Sequence, residues 1–125
     1  MTKPRVLVSS LDPAVARFMS EVLPRDAFEV LPPCLPRNVV EAVLDHAPDI
    51  LLFEVDRQAG PAAETLRVLR KVRPGLRIIV LSQDSRPEDA DIVEAGIFYY
   101  DTKPAGEELV AVVKAAATLP RSGRS

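Results

Sequence analysis

The sequence predicts a doubly wound α/β domain, a five-stranded parallel sheet with five helices on its two faces. Three observations predict it. Five short apolar runs recur along the chain, none alternating cleanly with polar residues, as expected of strands covered on both faces. Segments with helical spacing of apolar residues separate the runs. Most of the 12 prolines stand where one element gives way to the next.

In chain order, Val6-Leu7-Val8 reads as the first strand. Asp12-Pro13 then reads as an N-cap followed by proline at the first helical position, and Val15, Phe18, Met19 and Val22 mark the first helix. Phe28 to Leu31 gives the second strand, and Val39, Val40, Val43 and Leu44 the second helix. His46 falls near the end of that helix, where a charged imidazole is favoured. Ile50-Leu51-Leu52-Phe53 is the third strand, and Leu66, Val68, Leu69 and Val72 mark a third helix closed by Pro74-Gly75. Ile78-Ile79-Val80-Leu81 is the fourth strand. Ser85 and Glu88 have capping-box spacing around Pro87 and open a short fourth helix at Ile92 and Val93, ended by Gly96. Ile97 to Tyr100 is the fifth strand, and Leu109, Val112, Val113 and Ala116 mark the fifth helix. Residues 1–119 read as one domain and 120–125 as a flexible tail or linker stub. Strands alternating with helices imply parallel pairing and right-handed crossovers.

Composition narrows the function. A chain of 125 residues suits one domain, and 47% hydrophobic with 27% charged residues is ordinary for a globular protein. The formal net charge of -2 argues against a basic nucleic-acid-binding domain. One cysteine cannot form an internal disulfide, and with a single histidine it cannot make a zinc site. Cys34, in the stretch Pro32-Pro33-Cys34-Leu35-Pro36, reads as a plain loop thiol. No signal peptide is read at the start, the apolar runs are too short to span a membrane, and the expected location is the cytoplasm.

In a sheet of this kind ligands bind beyond the carboxyl ends of the strands. Those ends read Ser9-Ser10-Leu11-Asp12, Glu54-Val55-Asp56, Ser82-Gln83-Asp84 and Asp101-Thr102-Lys103-Pro104. Glu54, Ser82 and Lys103 are thereby expected to share a shallow polar cleft. A carboxylate, a hydroxyl and an ammonium together suit the handling of a phosphoryl group.

Over nearly its whole length the chain resembles the receiver domains of two-component response regulators. Val6-Leu7-Val8-Ser9-Ser10-Leu11-Asp12-Pro13 resembles the family's first strand and acidic turn. Pro48-Asp49-Ile50-Leu51-Leu52-Phe53-Glu54 resembles the strand that carries the phosphorylated aspartate, and Ile78-Ile79-Val80-Leu81-Ser82 the strand with the switch hydroxyl. Ala95-Gly96 and Tyr100-Asp101-Thr102-Lys103-Pro104 resemble the last strand and its Lys-Pro. The resemblance implies a flavodoxin-like (CheY-like) sheet of order 2-1-3-4-5, and signalling by protein contacts rather than enzymatic turnover.

In the family, an acidic pair after the first strand holds Mg²⁺ and an aspartate ending the third accepts the phosphoryl group. A Thr or Ser and a Lys bind the phosphoryl oxygens, and an aromatic residue on the last strand switches. The resemblance gives Ser82 the switch hydroxyl, Lys103 the lysine and Tyr100 the switch aromatic. It places Ser10 and Leu11 at the acidic pair and Glu54 at the acceptor aspartate. Asp12 falls one position late and is read as a helix cap. Mg²⁺ binding is therefore expected to be lost or weak. Glutamate adds one methylene, about 1.5 Å of reach, into the space of a phosphoryl group. Two readings of Glu54 follow: a mimic of phosphoaspartate near Lys103 and Ser82, or a solvated carboxylate in a dead pocket. Ser82 reads alternatively as a cap on a loop amide and Tyr100 as a half-buried strand residue. The Lys103-Pro104 peptide is expected to be cis, and Leu11 to pack against the neighbouring turn.

Charge is patterned as well. Arg67, Arg70, Lys71, Arg73 and Arg77 follow one another without an acid, whereas Asp84, Glu88, Asp89, Asp91, Glu94 and Asp101 are opposed only by Arg86. Solvated helix faces explain this. The resemblance adds a partner surface on the fourth helix, fifth strand and fifth helix, for a sensor kinase, an output domain or a second copy. Two alternatives stand beside an unphosphorylated receiver. One is a receiver still weakly phosphorylated by a histidine kinase. The other is a small nucleotide- or flavin-binding protein, against which the loop Ser9 to Pro13 offers no glycine to wrap a phosphate.

Overall fold

A computed structural model of the chain describes residues 3–55, 62–82, 99–102 and 106–118. The elements are β1 (Arg5–Ser9), α1 (Pro13–Val22), β2 (Glu29–Val30), a 3₁₀ turn (Pro36–Asn38), α2 (Val39–His46), β3 (Ile50–Val55), α3 (Ala62–Val72), β4 (Arg77–Ser82), β5 (Tyr99–Thr102) and α4 (Gly106–Thr118). The strands form one sheet of order β2-β1-β3-β4-β5 with parallel pairing throughout. This is the doubly wound architecture that the sequence predicts. α4 is the fifth helix of that expectation; the expected fourth, with its capping box, lies outside the described residues.

The central strands are apolar because both faces are covered. Val6, Val8, Ile50, Leu52, Ile79 and Leu81 pack in one cluster with Met19 and Leu23 from the α1 region and Leu109, Val113 and Ala116 of α4. Leu7, Leu51, Phe53, Ile78 and Val80 point the other way, into a cluster with Val39 and Val43 of α2 and Leu66 and Leu69 of α3. Successive residues of a strand alternate faces, so each strand feeds both clusters. α1 starts as the sequence suggests: Oδ1 of Asp12 accepts the amide of Ala14 at 2.9 Å, with Pro13 in the first turn.

Not every helix marker is buried. Phe18 is 44% exposed, Leu44 60%, and Val68 and Val72 each 40%. They lie on the flanks of the apolar stripes, which are wider than the faces that pack on the sheet. The basic run on α3 and the loop after it is only partly solvated. Arg73 donates from Nε to the Pro48 carbonyl at 2.9 Å and from Nη2 to the Ala47 carbonyl at 3.3 Å. Arg70 donates to the Leu76 carbonyl at 3.3 Å. Among the described residues, no helix is long and apolar enough to cross a membrane.

Candidate functional site

The site begins with strand register. Val8 of β1 lies opposite Leu52 of β3, and both face the α1–α4 cluster. Two residues further along each strand come Ser10 and Glu54, on the same face by the period of two. The two side chains meet there: the Ser10 hydroxyl donates to Oε1 of Glu54. Its oxygen also accepts the Asp12 amide at 3.0 Å and lies 3.2 Å from the Asp12 carbonyl. A relay runs from the Asp12 amide through Ser10 to the Glu54 carboxylate, joining the turn after β1 to the end of β3. Bonds linked in this way polarise one another.

Glu54 is 5% exposed and Ser10 3%. The solvated reading of Glu54 is thereby corrected: its carboxylate is buried and holds a hydroxyl donor. The expectation for Leu11 is corrected too, since its side chain is 42% exposed. With Ser10 turned inward toward Glu54 and Asp12 capping α1, the next residue of the turn, Leu11, is left facing out. In the sequence alone Ser10 stands only where the resemblance expects an acidic ligand. Its role as a donor to Glu54 follows from the pairing of β1 with β3, which single-sequence motifs do not show.

The other expected site residues extend along the same sheet edge. Glu54 is opposite Leu81 and Val55 is opposite Ser82 in the β3–β4 ladder. Val80 is opposite Tyr100 and Ser82 opposite Thr102 in the next. The backbone thus brings the ends of β3, β4 and β5 together. Lys103, Pro104 and their peptide bond lie outside the described residues, as does Asp56.

The acidic pair that the resemblance associates with Mg²⁺ can be tested on the donors present. The turn supplies a hydroxyl from Ser10, already given to Glu54, and no side-chain oxygen from Leu11. The Asp12 carboxylate accepts the Ala14 amide as a cap. Mg²⁺ demands near-octahedral oxygen ligation, and these donors do not fit it. Among the described residues, no group of three or more His, Cys, Asp or Glu side chains could hold a metal ion.

Cys34 is better placed than a plain loop thiol. It forms a parallel bridge with Ser9, its amide donating to the Val8 carbonyl at 2.9 Å and its carbonyl accepting the Ser10 amide at 3.2 Å. It therefore extends the β2 side of the sheet past the end of β2 and backs the turn that carries Ser10. Burial pushes its thiol up to about 11, partly offset by a hydrogen bond with Ser9.

No family model matches the chain. It is 30% identical over 118 residues to the DNA-binding transcriptional regulator NtrC of Azospirillum brasilense. The match covers 93% of this chain and 24% of that regulator, so the chain spans about a quarter of its relative's length. Among solved structures, a response regulator from Thermotoga maritima superposes with a TM-score of 0.82 at 20% identity, covering 94% of this chain and all of that one. The BeF3-activated receiver domain of DrrB gives 0.81 at 23% identity, with the same coverage. A CheY-like response regulator receiver domain protein from Methanospirillum hungatei gives 0.80 at 20% identity, covering 91% of this chain and 93% of that one. The chain has the receiver fold of the response regulators.

Proposed function

We propose that this chain is a receiver domain of two-component signalling that acts in the cytoplasm through protein contacts, without passing through a phosphoaspartate. One observation supports this above the others: a buried glutamate, Glu54, closes β3 of a receiver fold with its carboxylate held by Ser10. In this reading Glu54 occupies the acceptor position with a group too long to be the usual nucleophile. Ser10 replaces the first acidic residue and satisfies Glu54 instead of binding metal, and Leu11 replaces the second. Ser82 and Lys103 supply the hydroxyl and ammonium of the pocket, and Tyr100 the switch aromatic. A carboxylate set deep in such a pocket puts negative charge where a phosphoryl group would otherwise bring it.

The partners are a sensor kinase upstream and an output domain downstream. The DNA-binding regulator among the relatives makes transcription the output to test first. The face formed by β5 and α4, with the segment between β4 and β5 where the sequence predicts a helix, is proposed for these contacts.

The test is intact-mass spectrometry of the whole chain after incubation with acetyl phosphate and Mg²⁺, beside an ordinary receiver. The expected result is labelling of the ordinary receiver alone. Labelling of this chain would replace the reading with that of a weakly phosphorylated receiver. An absorbing ligand that copurifies with the chain would replace it with that of a cofactor-binding protein.

A further inference from the structure

The outer surfaces of α2 and α3 carry an apolar strip. Val39 and Val43 of α2 and Leu66 and Leu69 of α3 point into the sheet and are almost completely buried. At about 100° per residue, Val40 and Leu44 fall on one flank of α2, and Thr65, Val68 and Val72 on the opposite flank of α3. Right-handed crossovers fix the order of the two helices over the sheet, and with that order these flanks face each other across the α2–α3 seam. Leu44, Val68 and Val72 remain among the most exposed large apolar residues described.

Charges border the strip with opposite signs on its two sides. The α2 side carries Arg37, Glu41 and Asp45, and α3 carries Glu64, Arg67 and Lys71, all exposed. Asp45 and Lys71 each stand one residue before the last of their helix, and both helices end above the edge where β3 and β4 begin. Glu41 and Arg67, then Arg37 and Glu64, follow at intervals of three or four residues. Each charge on the α2 side thus has its opposite at matching height on α3. None of the six is ion-paired to another described residue.

We propose that two copies of this chain associate through the α2–α3 face, about a two-fold axis parallel to these helices. Such an axis keeps height and exchanges left with right, so α2 of one copy lies on α3 of the other. Leu44 then meets the partner's Val68 and Val72 at the centre. Around it Arg37 meets the partner's Glu64, Glu41 the partner's Arg67, and Asp45 the partner's Lys71, and symmetry repeats each pair. An apolar centre with a charged rim is the usual anatomy of an interface. A two-fold axis across the helices would instead set Glu41 and Asp45 against their own copies, and like charges disfavour it. This face, made of α2 and α3, is not the one proposed for signalling partners, and the argument for it does not use Glu54.

Sedimentation equilibrium of the whole chain over a concentration series tests the proposal. The expected result is a dimer whose dissociation constant rises with salt. Glu41→Lys with Asp45→Lys makes both sides basic, and Arg67→Glu with Lys71→Glu makes both acidic. Each double variant is expected to raise the dimer dissociation constant by about tenfold or more. An equimolar mixture of the two is expected to form a heterodimer at least as tight as the parent dimer. Circular dichroism checks that both variants, altered only at exposed positions, stay folded. A chain that is monomeric throughout, a dimer unmoved by both reversals, or a mixture that fails to associate would each overturn the proposal.

Discussion

The hydroxyl of Ser10 donates to Oε1 of Glu54, although the two residues lie 44 positions apart. Each is nearly inaccessible to solvent. A hydrogen bond to a charged group contributes about 1.5–3 kcal/mol. Ser10→Ala is expected to lower stability by that amount in urea unfolding, whereas Leu11→Ala, at an exposed neighbour, changes it by less than about 0.5 kcal/mol. Equal losses at the two positions would show that the Ser10 hydroxyl contributes nothing particular.

Ala47 ends α2 in the left-handed region, with φ 49° and ψ 57°, its amide donating to the Val43 carbonyl at 2.9 Å. For a residue with a Cβ this conformation costs about 1–2 kcal/mol, which glycine avoids at some cost in unfolded-state entropy. Ala47→Gly is therefore expected to stabilise the chain by roughly 0.5–1 kcal/mol, read as a higher urea midpoint at unchanged slope. A lower midpoint would mean that the clamp of Arg73 on the Ala47 and Pro48 carbonyls already fixes this turn and that glycine only loosens it.

Cys34 is half-buried, and its thiol is pushed up to about 11, chiefly by burial. Thiolate is the reactive form, so alkylation of the folded chain at pH 8 is expected to be much slower than in urea, rising as pH approaches 11. The linkage has a definite sign. Between the ordinary thiol value of 9.0 and about 11 the folded state holds a proton that the unfolded state has lost. This contribution to stability is complete below pH 9 and is lost as pH rises toward 11. Cys34→Ser, which removes the titrating thiol, should flatten that part of the stability profile. An unchanged slope would assign the pH dependence to other groups.

The positions of the described strands and helices were legible in the sequence because they rest on local periodicity and punctuation, whereas the sheet order β2-β1-β3-β4-β5 was an implication of the resemblance. Asp12-Pro13 gave the start of α1, and the unbroken apolar runs of β3 and β4 marked strands covered on both sides. The Ser10–Glu54 contact was not legible, because it depends on the register of β1 against β3, in which Val8 meets Leu52. Cys34 looked like a loop residue because its flanking prolines hide a backbone that still pairs with Ser9. Leu44, Val68 and Val72 mark helices by their spacing, but hydrophobic spacing gives a stripe and not its width. Only the packed helices show that the stripe extends beyond the buried face onto the seam.

Substituting Glu54, at the acceptor position proposed for it, separates the two differences expected between this pocket and that of a working receiver. Glu54→Asp supplies the shorter carboxylate but leaves positions 10 and 11 without carboxylate ligands for a metal. Phosphoryl transfer needs its developing charge neutralised, and one lysine does only part of that. Glu54→Asp alone is therefore expected to label with acetyl phosphate more slowly than the triple variant with Ser10→Asp and Leu11→Asp, by a factor on the order of a hundred or more. The exposure of Leu11 bears on the comparison: an aspartate there displaces no buried side chain, so any stability lost by the triple variant arises at Ser10 and Glu54, which share a buried hydrogen bond. With Glu54 also shortened, the acids at 10, 11 and 54 repel one another until Mg²⁺ joins them, so the triple variant should melt higher when Mg²⁺ is added while the parent chain does not. A folded triple variant that neither labels nor responds to Mg²⁺ would show that the pocket differs from a working receiver at further positions. Ready labelling of Glu54→Asp alone would show that the length of Glu54, not the missing acids, is what blocks transfer.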